Sequence, residues 1–426
     1  MLINVACIIL SAVLYAHALI LWPFSWAIFI FLIPLFHVAQ QHKLSFAYGL
    51  LWGFVFYVIH LLSIIHWVSD TYSYGILLGL SFAAYLALTP AVWFWGTNRL
   101  LLSPYIWPVS FFFYFLMHCK LQCLIFPSGY EYWLSLPMIS FATTGWGVSC
   151  LYWLGSYGSL VLIVIINFLV YTFVAQRALH SLLATIIALI FLILGLWHIK
   201  PISIRPSWLN QLGYVSPTHI HGNSVHDKAF SMREQLARCA NSNVDTILMP
   251  ESTLKIPLNQ YPEVLAWWSQ ACPQRIILGA HRQESSGSLF NSLFIIKDGL
   301  IVDTYDKNHP MPFIEFVPPS ASKLPLKNSL FKEKEEFSFG NKEHSLLLAS
   351  QKFTTQICSD FYMTHNNHLY PIVLFLNDYY SIPYSPSLFW HGALYKAVTS
   401  KKGLLYVGHY GANWVSMEGE FYSMMS

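Results

Sequence analysis

The sequence predicts a multi-span α-helical membrane domain over residues 1–200, followed by a layered α/β domain over residues 221–426. Three observations predict it. Charge is unevenly divided: residues 1–200 hold seven charged side chains and the remaining 36 lie in residues 201–426. Long apolar stretches crowd the first half. In the second half, short apolar runs alternate with amphipathic ones, as strands and helices do in a layered fold. The chain as a whole is 55% hydrophobic and 10% charged, against about 25% charged residues in ordinary soluble proteins. An ordinary soluble domain is therefore excluded for the first half.

Seven apolar stretches, 3–18, 19–39, 46–68, 74–95, 101–118, 152–175 and 181–199, read as transmembrane helices. Most reach the roughly 20 residues needed to cross about 30 Å of hydrocarbon. The first two adjoin without a charge, with Ala18–Pro23 as the turn. No Lys or Arg stands near the N-terminus, so a secretory signal peptide is not expected. With the N-terminus in the cytoplasm, Lys43, Arg99 and Arg177 fall in cytoplasmic loops, and Asp70 and Glu131 fall outside. Lys120 is the exception to the positive-inside bias. Seven spans deliver the second half to the exterior face, the periplasm in a bacterium. Residues 119–150 are aromatic and partly polar, and read either as a loop over a lipid-filled groove or as a re-entrant packing segment. His60 and His66 read as packing histidines.

Residues 201–220, rich in Pro, Ser and His, read as a linker. Helices are expected at Asp227–Asn241, Pro262–Gln270 and Phe389–Lys402, from apolar positions three and four apart. Strands are expected at Asp245–Pro250, Arg275–His281, Ser345–Ser350, Phe353–Cys358, Pro371–Leu376 and Leu404–His409. Ser292–Lys297 and Leu300–Tyr305 flank Asp298-Gly299 and form a hairpin. Residues 318–340 mix prolines, charges and phenylalanines and read as a loop or arm.

The net charge of +3 is small and dispersed, which gives no reason to expect a nucleic-acid partner. The 18 histidines are scattered, and neither a metal-binding motif nor a phosphate cradle appears, so no metal or cofactor is expected. The seven cysteines form no zinc or disulfide pattern in the polar half.

Chemistry in open α/β sheets gathers at the carboxyl ends of strands, and three such ends carry reactive groups. Asp245–Pro250 leads into Glu251, Leu300–Tyr305 into Asp306-Lys307, and Phe353–Cys358 into Ser359-Asp360. A carboxylate can take the proton of a thiol as it attacks a carbonyl. A fixed ammonium, with a backbone N–H such as that of Ser359, stabilises the oxyanion that forms. Each residue alone has a plainer reading: a surface acid, a surface lysine and a buried small hydrophobe.

Three motifs make the pattern specific: MPES at Met249–Ser252, YDKNHPMPFIEF at Tyr305–Phe316, and ICSD at Ile357–Asp360. They resemble the signatures of the carbon–nitrogen hydrolase (nitrilase) superfamily, as do Asn291 in LFNSLF and FLNDYY at Phe375–Tyr380, which contains Asn377. The resemblance implies a four-layer αββα sandwich with Glu251 as base, Lys307 as the cation on the oxyanion side and Cys358 as nucleophile. Glu315 is implied to hold the trio, with Ser359, Asp360 and Asn377 in support. Membrane spans ahead of such a domain resemble the superfamily's membrane branch, the apolipoprotein N-acyltransferase family. That likeness implies a phospholipid acyl donor, a lipoprotein or other amine acceptor, and a lipid bilayer at a bacterial inner membrane. The sequence departs from the branch in three ways. Cys358-Ser359-Asp360 stands for Cys-Tyr-Glu, Ile314 stands for a glycine, and no apolar stretch follows the last predicted strand. Conjugal-transfer TraB-like proteins share the resemblance. Acyl transfer is the leading expectation. A membrane-tethered amidase, or a non-catalytic transfer factor that kept the fold, would use the same residues differently or not at all.

Overall fold

The computed structural model describes residues 2–424 except 42–43, 63–64, 67–68, 70–74, 101–105, 126–131, 178–179, 181–182, 188–203, 218–219, 221–223, 240–243, 313–314, 317–335, 363–367 and 379–384. The expected arm at 318–340 and the stretch 181–199 lie largely outside the described residues, as does Ile314. The chain divides into two compact units: Met1–Ile202 with Tyr380–Lys401, and Ser203–Tyr379 with Lys402–Ser426.

The first unit is helical: α1 (Leu2–Ile20), α2 (Ile33–Gln41), α3 (Phe46–His60), α4 (Gly75–Leu86), α5 (Leu88–Leu100), α6 (Trp107–Ile125) and α7 (Gly145–Gln176). Among the described residues, four segments are long and apolar enough to cross a membrane: Leu2–Ile20, Phe24–Gln41, Gly75–Arg99 and Gly145–Ala175. The helix Phe46–His60 is apolar but shorter. This is the helical unit of a membrane protein. The first two expected stretches separate after Ile20, where a 3-10 segment, Trp22–Phe29, begins. Broken backbone inside an apolar unit needs its polar groups satisfied. Asn167 supplies that: its Oδ1 accepts from Leu32 N at 2.9 Å and its Nδ2 donates to Ile28 O at 2.8 Å. On α3, Gly49 and Gly53 let α5 approach closely; an added Cβ would lie 2.6 Å from Pro90 O at one and 2.9 Å from Ala87 Cα at the other. Small residues four apart are a recurrent device of membrane helix packing. In the 119–150 segment, Trp133–Ser135 and Pro137–Thr143 are 3-10 turns, with Trp133, Leu134 and Ile139 fully buried. The packing reading therefore holds for this part. His60 is buried and stacks on Phe56 at 5.1 Å.

The second unit is built on two mixed sheets. The first has strand order β1 (Leu212–Tyr214), β2 (Thr246–Leu248), β4 (Arg275–Gln283), β5 (Leu289–Lys297), β6 (Leu300–Asp306), with β3 (Leu254–Pro257) pairing β4. The second has order β12 (Phe421–Ser423), β11 (Gly411–Val415), β10 (Leu404–Gly408), β9 (Ile372–Phe375), β8 (Gln351–Ile357), β7 (Ser345–Leu348). Strands β1, β2 and β4 run parallel, as do β8, β9 and β10. Two hairpins follow the expected pairing, β5 with β6 and β7 with β8. Their turns are left-handed at Asp298-Gly299 and at Ala349-Ser350. The residues read as a linker, 201–220, contain β1, which pairs with β2 in register Leu212 to Thr246. Three residues are too few for an alternating pattern to show, which is why composition suggested a linker there.

Period-two alternation sorts the side chains into two cores. Leu248, Ile277, Leu293 and Ile295 of the first sheet meet Ile357, Val373, Phe375 and Val407 of the second. Their neighbours Ile247, Ile276, Leu278, Phe294 and Ile296 pack on the other face with α8 (Val225–Cys239) and α9 (Pro262–Ala271). Ser224 and Asp227 cap α8 reciprocally, at 3.1 and 3.0 Å, which satisfies two otherwise orphan groups. Trp268 Nε1 donates to Ala229 O at 3.0 Å and ties α9 to α8. A short helix, α10 (Ser359–Tyr362), follows β8. The last helix, α11 (Ser385–Ser400), lies between β9 and β10 in sequence but is counted with the first unit. There Tyr395 Oη donates to Ser156 Oγ at 2.7 Å.

Candidate active site

Three strand ends converge in the second unit. Beyond β2 the chain continues beside β4, with Met249 N donating to Ile277 O and Gly279 N to Pro250 O, and so arrives at Glu251. An added Cβ at Gly279 would lie 2.5 Å from Glu251 Cα, so only glycine lets β4 pass this close to the carboxylate's backbone. Lys307 follows β6, held by Lys307 N donating to Asn291 O and Gly340 N donating to Lys307 O. Cys358 follows β8. Its N donates to Phe375 O, and its φ of 42° is left-handed. A non-glycine residue in that region carries roughly 1 kcal/mol or more of strain, the kind concentrated at functional sites.

The side chains form one closed network. Lys307 Nζ lies 2.9 Å from Glu251 Oε1 and 2.9 Å from Glu315 Oε2. Asn291 Nδ2 donates to Glu251 Oε1 and to Glu315 Oε1, both at 2.8 Å. Asn377 N donates to Glu251 Oε2 at 2.9 Å, and Met311 N to Glu315 Oε2 at 2.6 Å. All three charged groups are buried. Burial alone would discharge the ammonium. The Glu251 and Glu315 carboxylates, with the Cys358 sulfur, reverse that and hold the Lys307 pKa well above its ordinary value. An ammonium has three donors. Glu251 Oε1 and both oxygens of Glu315 lie within 3.1 Å of Lys307 Nζ.

Asp360 is the second hub. It is buried and accepts from Tyr305 Oη at 2.8 Å, His309 N at 2.7 Å, His309 Nδ1 at 3.2 Å and Ile357 N at 3.3 Å. Ser359 Oγ donates to His309 O at 2.5 Å. Tyr305 and His309 stand two residues either side of Lys307, so Ser359 and Asp360 clasp the turn that carries the ammonium. Removing the clasp frees that turn, and a shift of about 1 Å in a reacting group costs on the order of 10²-fold in rate. Asp360→Ala is expected to slow reaction at Cys358 by about that factor. Asp360→Glu, which restores a carboxylate, is expected to recover part of the loss. Intact-mass kinetics at equal folded fraction check both.

Of the residues named from sequence, Glu251, Lys307, Glu315 and Asn377 share the carboxylate–ammonium network, and Cys358 adjoins it. Ser359 and Asp360 bind the 305–309 segment. Sequence reasoning missed Tyr305, His309, Asp378 and His409. Asp378 accepts from Tyr406 Oη at 2.8 Å and from His409 N, and burial raises its pKa. Burial lowers the pKa of His409 to about 4, so its ring is neutral near pH 7 and its Nε2–H donates to Glu251 O at 3.1 Å. Tyr305, His309 and Asp378 all lay inside the quoted motifs, which was the one available signal. His409 lay in none.

Two mixed sheets packed face to face carry a glutamate, a lysine and a cysteine at strand ends, and parts of the chain are similar in sequence to curated N-acyltransferases. Its sequence is related to apolipoprotein N-acyltransferase. It is 33% identical over 129 residues to the protein of that name from Helicobacter hepaticus, covering 29% of this chain and 32% of the relative. It is 31% identical over 103 residues to that from Brucella suis, covering 22% and 19%. The chain thus spans a third or less of the length of these curated relatives. No family model matches the chain. Among solved structures, similarity extends to an amidase from Nesterenkonia sp., at 12% identity over 50% of this chain and 84% of that one, with a TM-score of 0.34. It also extends to a CN-hydrolase superfamily protein from Xanthomonas campestris, at 12% identity over 50% and 84%, with a TM-score of 0.32.

Proposed function

We propose that the chain is a membrane-bound N-acyltransferase acting at the outer face of a bacterial inner membrane. In this reading Cys358 takes an acyl chain from a phospholipid as a thioester and passes it to the N-terminal amine of a lipoprotein. The observation that carries it is the buried network in which Lys307 bridges Glu251 and Glu315 beside Cys358.

In this reading each step is assigned to a group of the network. Glu251 accepts the thiol proton as sulfur attacks the ester carbonyl. Lys307 and the N–H of Ser359 stabilise the oxyanion. The C–O bond breaks, Glu251 returns the proton to the leaving alkoxide, and a lysophospholipid departs. An amine then attacks the thioester, gives one proton to Glu251, and the C–S bond breaks; that proton returns to sulfur. Glu315, Asn291 and the Asp360 clasp keep the groups aligned, which limits reorganisation during reaction. The apolar helices support the reading because a phospholipid donor is presented by a bilayer.

Incubation of the purified protein with phospholipid vesicles is expected to add one fatty-acyl mass to Cys358. A diacylglyceryl-cysteine peptide is expected to clear it with formation of an N-acyl peptide. Equally fast clearance in water, with release of free acid, would instead assign a membrane-tethered hydrolase. No adduct under either condition would leave the fold without this chemistry.

A further inference from the structure

We infer that Asn377 is a specificity-determining residue, whose side-chain carbonyl selects a primary amine as the partner of the Cys358 thioester. This rests on the acyl-transfer reading and deepens it. Each oxygen of Glu251 is held by an asparagine: Oε1 by Asn291 Nδ2 at 2.8 Å and Oε2 by the backbone N of Asn377 at 2.9 Å. Each of these asparagines leaves its own Oδ1 buried and, among the described residues, without a hydrogen-bond partner. A buried amide carbonyl with no donor is costly, and at a reaction centre the missing donor is one that a substrate can bring. Asn291 is 3% exposed, near the start of β5, and its Nδ2 is shared by the two carboxylates. Asn377 is only half-buried and lies just past β9, the strand paired with β8, whose last residue precedes Cys358. Of the two, Asn377 is the less buried and the nearer along its sheet to the end that carries Cys358.

The chemistry assigns the donor. An attacking primary amine carries two N–H bonds. As its nitrogen joins the thioester carbon, one proton passes to Glu251 and then to the departing sulfur. The other stays on nitrogen and becomes the amide N–H of the product. Asn377 Oδ1 accepts that second N–H, so the lone pair points at the carbonyl carbon. A secondary amine has no second N–H to offer after giving one to Glu251.

The test separates the two half-reactions. Acylation of Cys358 by a p-nitrophenyl acyl ester involves no nitrogen nucleophile. Capture of the isolated thioester is then timed with a diacylglyceryl-cysteine peptide and with its N-methyl counterpart. Asn377→Leu, which keeps the backbone N–H on Glu251, is expected to slow transfer to the primary amine about 10- to 100-fold more than it slows acylation. Its preference for the primary over the N-methyl amine is expected to collapse, and Asn377→Asp, which keeps an oxygen acceptor, to restore part of it. Equal losses in both half-reactions, or no loss in either, would overturn the role of Asn377 while leaving acyl transfer standing. Wild-type protein that forms no thioester from either donor would overturn both.

Discussion

Cys358→Ala is expected to abolish acyl-adduct formation, a loss of about 10⁴-fold or more by comparison with nucleophile removal in other covalent enzymes. The thiol is half-buried and packs at the edge of the core between the sheets, so the folding cost of the substitution is small, about 1 kcal/mol. Loss of chemistry and loss of fold are therefore separable. A sharper version exploits the backbone. Because Cys358 sits at φ 42°, Cys358→Gly relieves left-handed strain, worth roughly 1 kcal/mol. That variant is expected to unfold no more easily than wild type while forming no adduct. Intact-mass spectrometry and thermal unfolding on the same samples check both halves. A Cys358→Ala protein that still complements biological function would point to a non-catalytic factor.

Lys307→Met carries the second large effect, and it falls on stability as well as rate. The substitution leaves Glu251 and Glu315 buried, sharing Asn291 Nδ2, with no cation between them. Removing one partner from a buried ionic group costs about 3–5 kcal/mol. Loss of the oxyanion donor costs about 10²–10³ in the rate of acylation. The pH dependence has a definite sign. In wild type the Lys307 pKa is raised above 10.5, so its contribution is fully present below that value and is lost only as pH rises through the raised one. Across pH 5–9 it is flat. In Lys307→Met the two carboxylates repel, and the folded pKa of the pair lies above the ordinary glutamate value of about 4.3. That variant is therefore expected to be most stable in acid and to lose stability as pH rises toward neutrality. Unfolding measured from pH 4 to 8 should show the gap to wild type widening. A constant gap would show that Lys307 does not neutralise the pair.

The hairpin Leu289–Asp306 was legible because Asp298-Gly299 is a turn signal with apolar runs on both sides. Helices α8 and α9 were legible from their amphipathic spacing. The strands β1, β3, β11 and β12 were not: each is short and broken by glycine, lysine, proline, asparagine or serine, unlike the equally short but apolar β9. In the membrane unit the break after Ile20 falls inside the expected turn Ala18–Pro23; what the local sequence did not show is that Asn167, well over a hundred residues downstream, satisfies Leu32 N and Ile28 O of the segment that follows.

The order of residues along the chain was enough to divide it into a greasy half and a polar half, and to nominate a carboxylate, an ammonium and a thiol at strand ends. Those are local properties, written in charge, hydropathy and turn chemistry. Folding alone revealed that Asn291 joins two glutamates, that Asp360 reaches back to Tyr305 and His309, and that Asn377 touches Glu251 across 126 positions of sequence. Such partnerships depend on the register of two sheets stacked face to face. A one-residue slip in either would point the same side chains to the opposite face.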